Sequence, residues 1–337
     1  TDLAASLGLL PRSLYRTSPR AKPEALAAFH TADYIAALQA AEAEGAVSDA
    51  TRARYGLGTL SNPVFPEMYR RPATAAGGGL LAAEMVMSGA VRAVHNAGGG
   101  THHALAGQAA GFCFLNEPVL TILHLQRLGA RRVAYVDIDA HHGDGVEIAF
   151  HGSEDVRVIS VHEDRRWPFT GALEDTGGGA AFNLPVPRGF NDSEFAYVLD
   201  EMILPAVAAF RPDAVFLQCG ADALTEDPLS RLELSNNSHF RAVRALFDLA
   251  PRLVTSGGGG YNPWSVARCW AGVWAMLSGQ EIPDDLPPGA RALLAGLTWS
   301  RKGRPGPELL TTLRDAPREG PIRDEIRAGV AHLRGRL

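Results

Sequence analysis

The chain has 337 residues, 46% of them hydrophobic, enough apolar side chain to fill one large α/β core. Its formal net charge of −5 offers no global basic field for nucleic acid or an anionic membrane, and no apolar stretch is long enough to span a bilayer. Three cysteines without CxxC spacing argue against a disulfide framework and point to a reducing, cytoplasmic setting.

Thr1 to Ala5 shows no basic leader, yet a chain starting at Thr rather than Met is expected to have lost a leader or a longer N-terminal piece. Helical spacing is predicted for Thr74 to Asn96 and Pro118 to Gly129, and strands for Arg132 to Asp137 and Val156 to Val161. A helix from Ser193 to Phe210 carries Phe195, Val198, Leu199 and Met202 at helical spacing, with an interruption expected at Pro205. A strand over Asp213 to Cys219, a helix over Ser238 to Leu249, a strand over Arg252 to Ser256 and a helix over Pro263 to Leu277 follow. This alternation implies one mostly parallel sheet with helices on both faces, as a single α/β domain over 1–337. From about Pro283 to Pro321 the chain is rich in Pro, Gly and Arg and is expected to wrap the surface. Ile322, Ile326, Val330, Leu333 and Leu337 then predict a short amphipathic helix packed on its own domain. Ligands of such sheets bind at the carboxyl ends of the strands, and the polar motifs fall there.

The segment Asp137-Ile138-Asp139-Ala140-His141-His142-Gly143-Asp144-Gly145 leaves the strand Arg132 to Asp137. Residues two apart in extended chain share a side, so Asp137, Asp139 and His141 line up. Two carboxylates and an imidazole gathered at a strand end call for a positive partner, and a divalent metal is the simplest one. Asp222, just past the strand Asp213 to Cys219, would complete three protein ligands and leave a fourth position open, the pattern of a catalytic zinc site. Standing alone, Asp222 would read as a solvated loop aspartate.

His102-His103 sits in the glycine-rich Gly98-Gly99-Gly100-Thr101-His102-His103-Ala104. Hydrolysis by a metal-activated water needs a base near neutrality, which histidine supplies. Asp137 and Asp144 are available to orient the two rings. Without them the pair reads as two idle loop histidines. Gly257-Gly258-Gly259-Gly260 lets backbone approach a site closely, so that Tyr261 can donate its hydroxyl to a developing oxyanion. The Lys-Ser/Thr ending of a phosphate-binding loop is missing. In Gly111-Phe112-Cys113-Phe114-Leu115-Asn116, Phe112 suits the wall of a narrow tunnel, Phe114 suits the core, and Cys113 lacks a basic partner. Asn62-Pro63 and Asn262-Pro263 read as turn or helix-start signals, Trp264 and Trp270 as core, and Arg165-Arg166-Trp167 as a solvated loop able to rim the site.

At these residues the chain resembles the histone deacetylase superfamily, on the bacterial branch that includes acetoin utilisation proteins. GGGTHHA, GFCFLN, YVDIDAHHGDGVEIAF, GADALTEDPL and GGGGYNPWSVARCW stand in the family's order and spacing, and the match runs from about Pro23 through Leu277. The resemblance implies the arginase/deacetylase fold with an eight-stranded parallel sheet, and removal of an acyl group from an amine. It makes Asp139, His141 and Asp222 the zinc ligands and His102 and His103 the paired histidines, the second of them the base. Asp137 and Asp144 become their partners and Tyr261 the oxyanion donor. Gly111, Phe112, Leu229 and Trp167 border the acyl-lysine tunnel. It also implies potassium at Asp137, Asp139, His141, Ser160 and Val161, and a second potassium at Phe150, Ser153 and Val156.

The chain departs from the family in three places. It has no counterpart of a first strand and His-Pro-Glu-Arg-Pro-like loop. Ser61 stands where many peptide-acting members carry the rim aspartate that holds substrate amides. Arg166-Trp167-Pro168-Phe169-Thr170-Gly171 replaces Phe-Pro-Gly-Thr-Gly, which predicts a reshaped mouth. An acyl-lysine protein, an acetylpolyamine and a small amide all suit such a tunnel. Two further readings are open: a ureohydrolase-like enzyme with two manganese ions, and a catalytically silent protein that senses acyl amines.

Overall fold

The computed structural model describes residues 1–301 and 305–337. Six strands form one parallel sheet: β1 (Ala93–Asn96), β2 (Val133–Asp137), β3 (Val156–Glu163), β4 (Ala181–Val186), β5 (Ala214–Gln218) and β6 (Leu253–Ser256), in the order β1-β6-β5-β2-β3-β4. The sheet therefore has six strands among the described residues, not about eight. The pair Leu224–Leu234 makes only an isolated bridge, so the loop after β5 adds no strand.

The central strands are apolar on both sides, as burial between two helical layers requires. Ala134, Val136, Val215, Leu217 and Ile159 pack under the helices Asp192–Phe210, Asn236–Leu249 and Asp324–Arg334. Val133, Tyr135, Ala214, Phe216 and Val158 face the helices Arg70–Met87, Glu117–Arg127 and Asp144–Ala149.

Two strands differ from the sequence expectation. The helix expected to run to Asn96 stops at Met87. Gly89 takes a left-handed φ of 75°, which ends the helix and frees Ala93–Asn96 to pair with β6. β4 was not expected, because Asn183 and Pro185 disguise it; it lies at the sheet edge, where a missing N–H is tolerated. Pro205 does not interrupt its helix. A π turn over Leu199–Ile203 widens the backbone just before it, and the helix continues to Phe210.

The stretch 283–321 does more than wrap the surface. Leu286, Ala290, Leu294, Leu309 and Leu313 are buried with Leu3, Leu9 and Trp264 in a satellite core. The last helix, Asp324–Arg334, buries Ile326, Val330 and Leu333 in the main core, while Leu337 is exposed. No helix among the described residues is long and apolar enough to cross a membrane.

The register aligns one residue of every strand in a single row: Asn96, Ser256, Gln218, Asp137, Ser160 and Asn183. All six are polar and buried. The row ends β1, β6, β5 and β2 and crosses β3 and β4 in mid-strand; before it β2 and β5 are apolar throughout, while His95 and Thr255 face each other at 2.9 Å between β1 and β6.

Candidate active site

Beyond the polar row, five neighbouring strands release the loops that build one cleft. β2 leads to Asp139 and His141, and β5 to Asp222. β1 leads to His102 and His103, β6 to Tyr261, and β3 to Trp167.

His141 Nδ1 lies 3.2 Å from Asp139 Oδ1 and 2.9 Å from Asp222 Oδ2. One donor atom of each residue falls within 4.8 Å of the others. The outward oxygens are fixed: Asp139 Oδ2 accepts from Gln218 Nε2 and the Gly259 N–H, each at 2.8 Å, and Asp222 Oδ1 accepts from the Ala140 N–H at 2.9 Å. A Cβ at Gly220 or Gly259 would strike these carboxylates, so glycine is required for the close approach.

Two buried carboxylates demand a cation between them. His141 answers that demand: burial works against its protonation, but Asp222 and Asp139 lift its pKa to about 11. Asp222 itself is raised to about 6, by burial and by the charge of Asp139. A zinc ion fits the same donor set. Bonds of 2.0–2.2 Å in tetrahedral geometry place ligand atoms ~3.4 Å apart, close to the spacings present. Among the described residues this is the one group of metal-binding type, which gives no support to a binuclear centre. Asp137, beside it, is committed to His102 and Tyr135.

The histidine pair is held from both ends. His102 Nδ1 meets Asp137 Oδ2 at 2.8 Å, His103 Nδ1 meets Asp144 Oδ1 at 2.7 Å, and the two Nε2 atoms lie 3.0 Å apart. With each Nδ1–H donated to a carboxylate, only one proton fits between the Nε2 atoms. The pair therefore shares one positive charge. Its asymmetry is consistent: burial opposes the charge on His102, but Asp137 and Asp139 raise its pKa to about 9. Burial and the neighbouring His102 lower His103 to about 4. His102 Nε2 lies 3.9 Å from Asp139 Oδ1, so pair and metal set adjoin.

The mouth is apolar. The Phe112 ring stands 5.8 Å from that of Tyr261, and the Phe112 N–H is held by Asn62 Oδ1 at 3.0 Å. Asn62 is thus more than a turn signal. Trp167 is not a bystander on a solvated loop; its ring packs edge-on to His103 at 4.6 Å and to His141 at 6.5 Å. Gly111 has φ 52°, and a Cβ there would run into Trp167 and His103. Leu229 is half-buried, and its N–H is tied to Asp227 Oδ1 at 2.9 Å. Burial and the carboxylates of Asp222 and Asp139 push the Tyr261 phenol well above its ordinary pKa, so it stays a neutral donor beside them. Cys113 is buried, and burial raises its pKa to about 12, as expected of a non-nucleophile.

Several residues that sequence reasoning passed over support this site. The Tyr135 hydroxyl donates to Asp137 Oδ2 at 2.6 Å; the period-two rule already puts Tyr135 on the side of Asp137. Gln218 is the one polar residue of the β5 run Ala214–Gln218 and orients Asp139. Asp227 Oδ2 accepts the Tyr261 N–H at 2.6 Å, joining the glycine loop to the mouth. Glu117, fully buried, accepts the Gly100 N–H at 2.9 Å and so anchors the loop before His102. Trp270 donates from Nε1 to the Cys219 carbonyl at 3.0 Å, beneath Asp222.

Ser160, next to Asp137 in register, lies 2.8 Å from His162 Nδ1. His162 Nε2 faces the Gly171 carbonyl, so Nδ1 accepts and the Ser160 hydroxyl donates, leaving its oxygen lone pairs free. Val161 follows in β3. Phe150 and Ser153 lie in the turn before β3, and Val156 opens that strand. There the Phe150 carbonyl accepts the Ser153 N–H at 3.0 Å, and Ser153 Oγ accepts from the Val156 N–H at 3.1 Å.

Residues 1–277 match the family model for the histone deacetylase domain. The acetoin utilization protein AcuC of Bacillus subtilis is 37% identical over 80% of this chain and 73% of its own. Histone deacetylase 8 of Xenopus tropicalis is 34% identical over 85% and 79%. Among solved structures, an HDAC homolog complexed with SAHA superposes with a TM-score of 0.93 at 34% identity, covering 98% of this chain and 91% of that one. An HDAC homolog from Aquifex aeolicus gives a TM-score of 0.92 at 35% identity, with the same coverage. With this fold, this buried Asp-His-Asp group and these relatives, the chain belongs to the histone deacetylase family and is a deacetylase acting on an acyl amine.

Proposed function

We propose that the chain is a zinc-dependent amidohydrolase that removes an acyl group, acetyl foremost, from a lysine side chain. The observation that carries this reading is the meeting of the Asp139-His141-Asp222 set with two carboxylate-oriented histidines under an apolar mouth. Asp139, His141 and Asp222 would hold the zinc, which when bound supplies a Lewis acid and lowers the pKa of water toward about 7.

The chain's own residues do the rest. His103, oriented by Asp144, takes the proton of the attacking water on Nε2, which displaces the hydrogen bond it receives there from His102. His102, oriented by Asp137, carries the positive charge of the pair and limits the basicity of its neighbour. Once protonated, the pair returns a proton to the leaving amine. Tyr261 donates its hydroxyl to the oxygen that gains negative charge, and Asp227 fixes the backbone of that tyrosine. Phe112, Trp167, Leu229 and the bare backbone of Gly111 line the alkyl chain and exclude water. A neutral acyl-lysine suits such walls, whereas the charged product amine does not.

Potassium at Asp137, Asp139, His141, Ser160 and Val161 belongs to the same proposal, supported by the free lone pairs of Ser160 Oγ. A second potassium at Phe150, Ser153 and Val156 rests on the family resemblance. Free, buried cysteines accord with a cytoplasmic location.

The test is an activity profile of protein shown by metal analysis to hold one zinc, assayed on acetyl-lysine peptides, acetylpolyamines and simple amides. Peptide cleavage is expected to lead. Absence of cleavage in all three arms, or a stoichiometry of two manganese ions, would overturn the proposal.

A further inference from the structure

Beside the mouth lies a concavity of about 700 Å3 that the reaction does not use, lined chiefly by Glu163, Asp164, Arg165, Arg166, Arg188 and Arg231. Four guanidiniums face two carboxylates there, in a chain whose net charge is −5. The two carboxylates are already engaged. Glu163, itself buried, accepts two hydrogen bonds of 2.8 Å from Arg166 and the Arg231 N–H at 2.9 Å. Asp164 pairs with Arg165 at 3.3 Å.

Arg188 and Arg231 have no carboxylate partner among the described residues. The Arg231 guanidinium donates to the Ser230 carbonyl at 2.9 Å, and of Arg188 only the backbone carbonyl is engaged, by Arg323. The concavity is continuous with the mouth along the chain. Arg166 precedes Trp167, and Arg231 follows Leu229 by two residues. An extended peptide advances about 3.3–3.6 Å per residue, so a side chain one to three residues from the acyl-lysine reaches from mouth to cleft.

We propose that this cleft is a subsite for a substrate carboxylate, borne by an acidic residue close to the acyl-lysine. The inference rests on the acyl-lysine reading above and narrows it: acidic acyl-lysine segments are preferred, and cationic acetylpolyamines are disfavoured. Arg188 and Arg231 receive the carboxylate, while Glu163 keeps Arg166 parked and the floor neutral.

The test uses zinc-loaded protein and four probes: acetyl-lysine peptides with Asp/Glu, Ala or Lys flanks, and free Nε-acetyl-lysine, which carries only its own α-carboxylate. Kd by fluorescence anisotropy (by calorimetry for the free amino acid) is read beside kcat/KM at low and high salt. The acidic peptide is expected to bind about five- to tenfold tighter than the Ala peptide at low salt, as two exposed charge pairs would give. That ratio should shrink at high salt and approach one in the double variant Arg188→Gln/Arg231→Gln. A preference shown by free acetyl-lysine rather than by the acidic peptide would assign the cleft to the α-carboxylate and overturn the peptide form. An acidic-to-neutral ratio of one, a ratio indifferent to salt, or one unchanged in the variant overturns the subsite. Binding preference without cleavage leaves the subsite standing and defeats the hydrolase reading; cleavage without preference does the reverse.

Discussion

Glu117 offers a direct energetic test of how the histidine loop is held. Its carboxylate is fully buried and accepts from the Gly100 N–H at 2.9 Å, Asn96 Nδ2 at 3.1 Å and Thr121 Oγ at 3.0 Å. Burial dominates these three donors and raises its pKa from 4.5 to about 7. Between those two values the unfolded chain has released the proton and the folded chain retains it. Stability from this group is therefore complete below pH 4.5 and is lost as the pH rises through about 7. At about 1.4 kcal/mol per pH unit, the loss amounts to roughly 3 kcal/mol. Glu117→Gln resembles the protonated form at every pH. Urea denaturation of both proteins from pH 4 to 9 should show the difference, Glu117 minus Gln, falling by that amount and levelling off above pH 8. A difference that stays flat within ~0.5 kcal/mol, or that rises with pH, would refute the argument that burial governs this carboxyl.

Two further substitutions probe the site and its support. Tyr261→Phe should lower kcat by roughly 10²–10³ while zinc content by metal analysis stays at that of the unsubstituted protein; near-normal turnover would remove its assigned role. Arg268→Ala leaves Asp315 without its 2.6 Å partner and frees the carbonyls of Thr312 and Arg314. Both partners of that pair are largely buried, so the expected loss is about 3–5 kcal/mol of stability in denaturant titration; a loss below ~1 kcal/mol would show that the 283–321 segment is not anchored there.

Much of the site was legible because its chemistry is local in sequence. Asp137, Asp139 and His141 alternate along one strand exit, and His102 and His103 are adjacent, so residue type and period were sufficient to group them. Asp222 and Asp144 could be nominated from their places after strand ends, but their meeting with His141 and His103 depends on loops, and the family resemblance was needed to specify it. The fold was legible where strands are continuous apolar runs. It was not legible at β1, where helical spacing continues past the Gly89 stop, or at β4, where Pro185 argues against a strand unless its edge position is known. Gln218 stands out as the one polar residue of β5, but its role shows only once the sheet register sets it beside Asp137 with its amide on Asp139. Trp167 reads from its arginine neighbours as part of a solvated loop and from the family resemblance as a tunnel residue, and the folded loop sets its ring against the histidines.

The shared row Asn96-Ser256-Gln218-Asp137-Ser160-Asn183 explains why these separate motifs end at one place. A buried polar residue in mid-strand costs free energy unless it is partnered, and a parallel sheet supplies partners most readily at its end, where backbone N–H groups of the departing loops become available. β2 and β5 therefore stay apolar until this row, and the earlier polar pair of β1 and β6, His95 and Thr255, is partnered at 2.9 Å. Past it, the Asp139, His141, Ala140 and Gly259 N–H groups turn inward onto carboxylates. Most of the resulting hydrogen-bonding demand is met by the protein itself. His141 offsets only part of the charge of Asp139 and Asp222, and one proton is contested between His102 and His103. Those two features lie side by side, and they support the proposed metal-assisted proton transfer to and from an amide.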